Sequence, residues 1–266
     1  MGPLNEPLVL STLVRMHREL GGLPARRVDL YNKLCEALVV HGTRGGKDNF
    51  TPPQRLAVFR PLAASMSRRK AKTMKTADVL KAVTPLFPGT PAPAVEGFVK
   101  ALSTGTGLWT ESEPGNWRFI HPALQEYLTA AYFAEKKGPG GPWEELVGDP
   151  SWDETLIMFS ALAEATPVIQ VCLQSATVPT LTLATQCLEE ATVIAPEVKA
   201  LADKVLIESL EVSDSKRRHR AAEVLLARRF KVKCFDSYCD RVYASSNNTR
   251  RKKPQKKKTK NEPEKP

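Results

Sequence analysis

Apolar positions along this chain recur mostly at the three-to-four-residue spacing of amphipathic helices. Pro7 to Leu20 is one such run, closed by Gly21-Gly22. Pro24 opens a second, in which Val28, Tyr31, Leu34, Cys35 and Leu38 share one face. Together they predict a helical hairpin ending at His41-Gly42, followed by a polar loop to Asn49. Thr51-Pro52-Pro53 reads as a cap and start for a third helix with Leu56, Phe59, Leu62, Ala63 and Met66 inward, and Pro61 inside it predicts a kink. A basic linker, Ser67 to Lys75, leads to a short helix capped by Thr76, with Asp78 in its first turn and a break at Thr84-Pro85. Val95, Phe98, Val99 and Leu102 mark a fifth helix that stops at Gly105.

The period changes between Leu108 and Ile120. Two aromatic, β-branched runs, Leu108 to Glu111 and Trp117 to Ile120, flank the turn signal Glu113-Pro114-Gly115-Asn116 and predict a β-hairpin. His121-Pro122 then opens a helix with Leu124, Tyr127, Leu128 and Ala131 inward. Helices, hairpin and helix in this order predict a winged-helix-like unit. Gly138 to Pro142 marks a boundary, after which Ser151-Trp152-Asp153-Glu154 predicts a capping box ahead of the apolar run Leu156 to Leu162. Pro167, Pro179 and Pro196 each restart a helix, the last carrying a stripe of Val198, Leu201, Ala202 and Val205. Ser213 to Ser215 can cap a final helix through Phe230. These helices resemble an array, without a residue-level repeat that names one. From about Ser245 the chain is polar, Lys-rich and prolyl, a composition that cannot bury enough surface to fold.

The expected fold class is therefore mainly α: a helical hairpin over 1–46, a winged-helix domain with a small β-hairpin wing over 47–137, a second helical domain over 143–235, and a disordered basic tail over 236–266. A composition of 42% apolar and 26% charged residues fits a globular chain. There is no apolar run of about twenty residues and no basic-then-apolar leader, which predicts a cytoplasmic protein without a membrane span.

Five scattered cysteines predict reduced thiols rather than a disulfide framework, and the C-x4-C pair Cys234 and Cys239 lacks further ligands, so no metal is expected. The net charge of +10 sits mostly in residues 250–266, where nine Lys or Arg oppose Glu262 and Glu264. Gly42-Thr43-Arg44-Gly45-Gly46-Lys47-Asp48 is not a phosphate loop: its first glycine is one residue too close, Asp48 replaces the Ser or Thr, and a helix precedes it. No nucleophile stands in a motif with a base, and no catalytic residue is expected; the chain does not read as an enzyme.

Two segments resemble a known family. Glu6 to Leu10 followed by Leu23 to Tyr31 is similar to the helical hairpin that follows the nucleotide-binding domain of NACHT-type STAND ATPases. Phe119-Ile120-His121-Pro122-Ala123-Leu124-Gln125-Glu126-Tyr127-Leu128-Thr129-Ala130 resembles the winged-helix signature of the same family, and Trp152 to Leu162 echoes its second helical domain. The resemblance covers residues 4–165. It implies a switch in which ADP holds a closed state and exchange for ATP releases the winged helix to signal. It also implies ADP contacts for two residues: Pro7 beside the adenine and His121 at the phosphates. The phosphate loop, acidic metal-binding strand and arginine sensor of that family have no counterpart here. The expected role is thus a regulatory, interacting fragment whose partner is a nucleotide-binding domain or another protein, with ADP or ATP bound only if such a domain is supplied.

The rival expectation is a winged-helix nucleic-acid-binding protein with a basic tail. A reading helix should offer Arg, Lys, Asn or Gln to base edges, and Ala94 to Leu102 offers only Lys100. Basic residues cluster instead at Arg68 to Lys75, Lys216 to Lys233 and in the tail, runs that read as solvated faces open to salt-sensitive contact with nucleic acid or acidic surfaces.

Overall fold

The computed structural model describes residues 7–41, 51–105, 107–136 and 141–229. Described residues up to Ala221 form one compact unit, and a second begins at Ala222. The expected polar loop with Lys47, the paired Cys234 and Cys239, and the basic tail lie outside the described residues.

The hairpin consists of α1 (Pro7–Leu20) and α2 (Arg27–His41), so the second helix starts three residues after Pro24. Gly21 takes φ +69° after α1, a left-handed stop that suits glycine. On α2 the expected face is buried with Val39 added; Tyr31 stacks on Tyr127 at 6.2 Å.

The next elements are α3 (Pro52–Arg68), β1 (Met74–Lys75), α4 (Thr76–Val83), a 3-10 turn at Thr84–Leu86, α5 (Ala92–Gly105), β2 (Trp109–Glu113) and β3 (Asn116–Phe119). Gln54 Oε1 accepts hydrogen bonds from the Thr51 N–H at 2.8 Å and its hydroxyl at 2.9 Å, fastening the start of α3. Pro61 withholds the N–H that the Ala57 carbonyl would otherwise receive, yet α3 runs through it as one helix. Buried packing of Leu56, Phe59, Leu62, Ala63 and Met66 on both sides of Pro61 holds it together. Arg55, 1% exposed, donates from Nη1 to the Val39 carbonyl at 3.1 Å, placing a cation at the C-terminal turn of α2.

The wing is a three-stranded antiparallel sheet in the order β1-β3-β2, one strand more than the hairpin expected. Met74 faces Trp117 across β1 and β3, while Trp109 faces Phe119 across β2 and β3. A bulge between Glu111 and Glu113 and Gly115 at φ +75° make the turn. Thr76, expected as a cap, instead serves the sheet: its N–H and hydroxyl both donate to the Gly115 carbonyl, and its Oγ1 accepts from Trp117 Nε1 at 2.8 Å. Helix, strand, two helices, strand, wing and strand is winged-helix order.

There follow α6 (Pro122–Lys136), α7 (Trp143–Leu146), a 3-10 turn at Pro150–Trp152, α8 (Asp153–Leu162), α9 (Thr166–Ser175), α10 (Val178–Glu190), α11 (Pro196–Glu208) and α12 (Ser215–Arg229). The predicted capping box at Ser151 does not form. Asp149 accepts from the Ser151 N–H and hydroxyl, and Glu154 turns away to Arg27. Pro167, Pro179 and Pro196 do lie in first turns. Leu201, expected inward, is exposed, whereas Val198, Ala202 and Leu206 face the core. Phe133, Trp143, Trp152 and Phe159 pack ring to ring, Trp143 and Phe159 at 4.3 Å, and seat the second helical region on α6.

Candidate functional site

His121 stands where the sheet hands over to α6. The Ile120 N–H donates to the Leu108 carbonyl at 2.9 Å, extending the β2–β3 pairing by one step. The next residue then caps the helix: His121 Nδ1 accepts the Ala123 N–H at 3.1 Å, and its carbonyl accepts the Leu124 N–H at 3.1 Å. With Nδ1 accepting, the neutral imidazole carries its proton on Nε2, which makes that atom the ring's donor. His121 is half-buried, while Leu124, Tyr127, Leu128 and Ala131 on the same helix are buried, as their spacing predicts. Pro7 is the exposed first residue of α1.

Pro7 and His121 are linked through two neighbours. A Cβ added at Gly107 would lie 2.8 Å from Leu8 Cδ2 and 3.0 Å from Leu38 Cδ2, so the side chains of α1 and α2 close on the chain just before β2. The Gly107 N–H also donates to the Leu38 carbonyl at 2.8 Å. Leu108, next in the chain, is the residue that pairs with Ile120.

A second group of polar side chains joins the hairpin to the helices beyond the wing. Arg26 Nη2 donates to the Ala161 carbonyl at 3.2 Å and to the Glu190 carbonyl at 3.4 Å, at the C-terminal ends of α8 and α10 where a cation is favoured. Arg27 Nη2 donates to Glu154 Oε2 at 2.7 Å. Burial acts to lower the Arg27 pKa, but the hydrogen bond and charge of Glu154 leave it raised. Burial raises Tyr31 as well. Glu126, one residue before Tyr127, is pushed up first by burial and then by the charge of Glu154. Arg26 and Arg27 fall within the segment Leu23 to Tyr31, whose apolar pattern alone gives them no role. Two adjacent arginines just before an apolar helical face were the available signal.

The described residues bring together no group of three or more His, Cys, Asp or Glu side chains able to hold a metal ion, and none of their helices is long and apolar enough to cross a membrane. Cys35, Cys172 and Cys187 are buried free thiols whose pKa values burial drives up, Cys172 to about 12. The arrangement thus sets a histidine at the N-terminus of α6 and two adjacent arginines between the hairpin and the helices beyond the wing. No protein-family model and no curated protein matches this chain.

Proposed function

We propose that the chain is the helical and winged-helix part of a NACHT-type STAND switch, a regulatory module that senses nucleotide only alongside a nucleotide-binding domain and performs no catalysis itself. One observation carries this reading. His121 caps α6 through Nδ1, which directs its proton to Nε2 at a helix N-terminus, where an anionic phosphate is favoured. Pro7, whose neighbour Leu8 meets Gly107 just before Leu108, would be the adenine-side residue of the same surface.

The nucleic-acid reading meets an unfavourable charge pattern. The exposed tip of the wing carries Glu111 and Glu113, which repel phosphates, and the exposed residues of α5 include Glu96 beside Lys100. The test separates capping from phosphate binding. His121→Asn retains a side-chain acceptor for the Ala123 N–H but has no imidazole Nε2. With a NACHT nucleotide-binding domain supplied, ADP should raise the melting temperature of the wild-type assembly and raise that of His121→Asn much less. Equal ADP effects in both, or none in the wild type, would overturn the proposal.

A further inference from the structure

Helix α3 lacks a charged outer face. From Leu56 to Ser67 only Arg60 is charged, and its guanidinium is taken by Glu135 of α6. Leu56, Phe59, Leu62 and Met66 bury the inner side in the core, whereas the opposite side carries Ala57, Pro61 and Ser65 where a surface helix usually turns charge to water. Two cavities open along that opposite side, between α6 and the segment running from α4 through its 3-10 turn. The first, about 440 Å³, is lined by Val58, Pro61, Leu86, Phe87 and Tyr132, with Lys136 at its polar part. The second, about 310 Å³, is lined by Ala64, Ser65, Arg68, Arg69 and Ala82, and shares Pro61 and Tyr132 with the first. The ion pairs at this groove leave one sign over. Glu135 pairs with Arg60, and Arg69 with Asp78 at 3.4 Å. Arg68 lies over the Phe133 ring and Lys136 is exposed, and neither makes an ion pair among the described residues.

We propose that this groove binds an acidic amphipathic helix of a partner protein, laid along α3 with a large apolar side chain in the first cavity and a carboxylate in the second. The spacing fits a helix. Ala57 and Val58 lie at the first cavity and Ala64 and Ser65 at the second, seven residues on, or about 10 Å along α3. A helix lying alongside presents its positions i and i+7 on one face at that same spacing. The charges select its sign, since Arg68 and Lys136 favour carboxylates and no anion on this face is left to attract a cation. The chain itself is a poor source of such a helix: it carries a net charge of +10, and residues 42–50, 137–140 and 230–266, outside the described stretches, are each net positive. A nucleic acid would satisfy Arg68 but leave the apolar side of the first cavity, with Leu86 41% exposed, in water. His121 precedes α6 and this groove lies at the helix's other end, about 20 Å away, so the inference stands or falls apart from the switch reading.

Fluorescence anisotropy of the full chain with labelled synthetic peptides tests this. The probes are helical peptides of about 18 residues, long enough to span the groove, with Leu, Phe or Trp at one position, Glu seven positions on and further Glu at the flanks. Each has a twin with Lys in place of every Glu. At least one acidic peptide should bind with a Kd of about 10–100 μM, and its twin at least about tenfold more weakly. Leu86→Ser should weaken that binding about tenfold and leave the melting temperature unchanged, because the side chain is already exposed without the peptide. Arg68→Glu combined with Lys136→Glu should turn the preference toward the Lys twin. Absence of binding by every acidic peptide at about 1 mM would overturn the proposal, as would equal binding of the twins or binding indifferent to these substitutions. If the peptides fail while the chain binds dodecanoate, or associates with itself, in a manner lost on Leu86→Ser, the groove belongs to a fatty acid or to a second copy and the proposal fails.

Discussion

Replacing His121 by alanine removes the side chain that caps α6 and leaves the Ala123 N–H without its 3.1 Å acceptor. Loss of a side-chain cap costs about 1 kcal/mol, which in a unit of this size lowers the melting temperature by about 2–4 °C. Leu124 is 0% exposed three residues further on, and Leu124→Ala leaves a cavity in the core costing roughly 2–5 kcal/mol, or about 5–15 °C. His121→Asn supplies an oxygen in place of Nδ1 and should recover most of the alanine loss. Thermal unfolding of the three variants, followed by circular dichroism, orders them as asparagine, then alanine, then Leu124→Ala. If His121→Ala is as damaging as Leu124→Ala, the histidine is a core residue and its Nε2 has no claim on a phosphate. If asparagine and alanine behave alike, the cap does not run through the side chain, and the tautomer argument fails with it.

Glu126→Gln should raise the melting temperature at neutral pH, because its raised pKa reflects a carboxylate held in a half-buried site near Glu154; the gain should fade as acid protonates the wild-type residue. Asp149 is lowered to about 2, first by Lys70, then by Ser151. Its contribution to folding is therefore present above the ordinary carboxylate pKa and lost as pH falls from about 4 to about 2, and an NMR titration of Lys70→Ala should show its midpoint moving up. Cys35, Cys172 and Cys187 should resist alkylation in the native protein and react only on unfolding, as mass spectrometry of the labelled chain would show. Any nucleic-acid binding should weaken steeply with salt and disappear on deleting residues 250–266, in a filter-binding or anisotropy assay.

Periodicity located the helices because burying one apolar face needs a three-to-four-residue spacing, and α2, α3, α5 and α6 each bury the residues so marked. What it could not locate depends on partners distant in sequence. Met74-Lys75 has too few residues to alternate, and becomes a strand only because β3 offers an unpaired edge. Ser151 and Glu154 have capping-box spacing, but Asp149 competes for the serine and Arg27 for the glutamate. The basic runs read as solvated faces are partly engaged. Arg217 bonds the Ser209 hydroxyl, Arg218 the Val212 and Ser213 carbonyls, and Arg220 the Thr182 hydroxyl; Arg69 pairs with Asp78, and Arg68 lies over Phe133. Of the candidate site, the histidine was legible as a residue, but its role as a cap and its tautomer appear only when the Ala123 N–H is seen to point at Nδ1.

The packing of the hairpin also limits how such a switch could move. On α2, Leu34, Cys35, Leu38 and Val39 are 0% exposed and Val28 and Tyr31 nearly so, all in the core shared with α3, α6 and α8. At about 1.5–3 kcal/mol for each large apolar side chain, swinging α2 away would cost on the order of 10 kcal/mol, comparable to the whole stability of a domain. Arg26 and Arg27 add ties to Ala161, Glu190 and Glu154. α1 is held less firmly, burying only Val9, Thr12 and Met16 and reaching α2 through Gly21-Gly22. A nucleotide-driven rearrangement would therefore leave α2, the winged helix and α8 together as one block and bend at α1 or before it. Hydrogen exchange of the chain should show α2 protected close to the global unfolding limit and α1 opening well below it. Exchange that is equally fast in both helices would mean that α2 can leave the core, and the block would have to be divided between the hairpin and the winged helix.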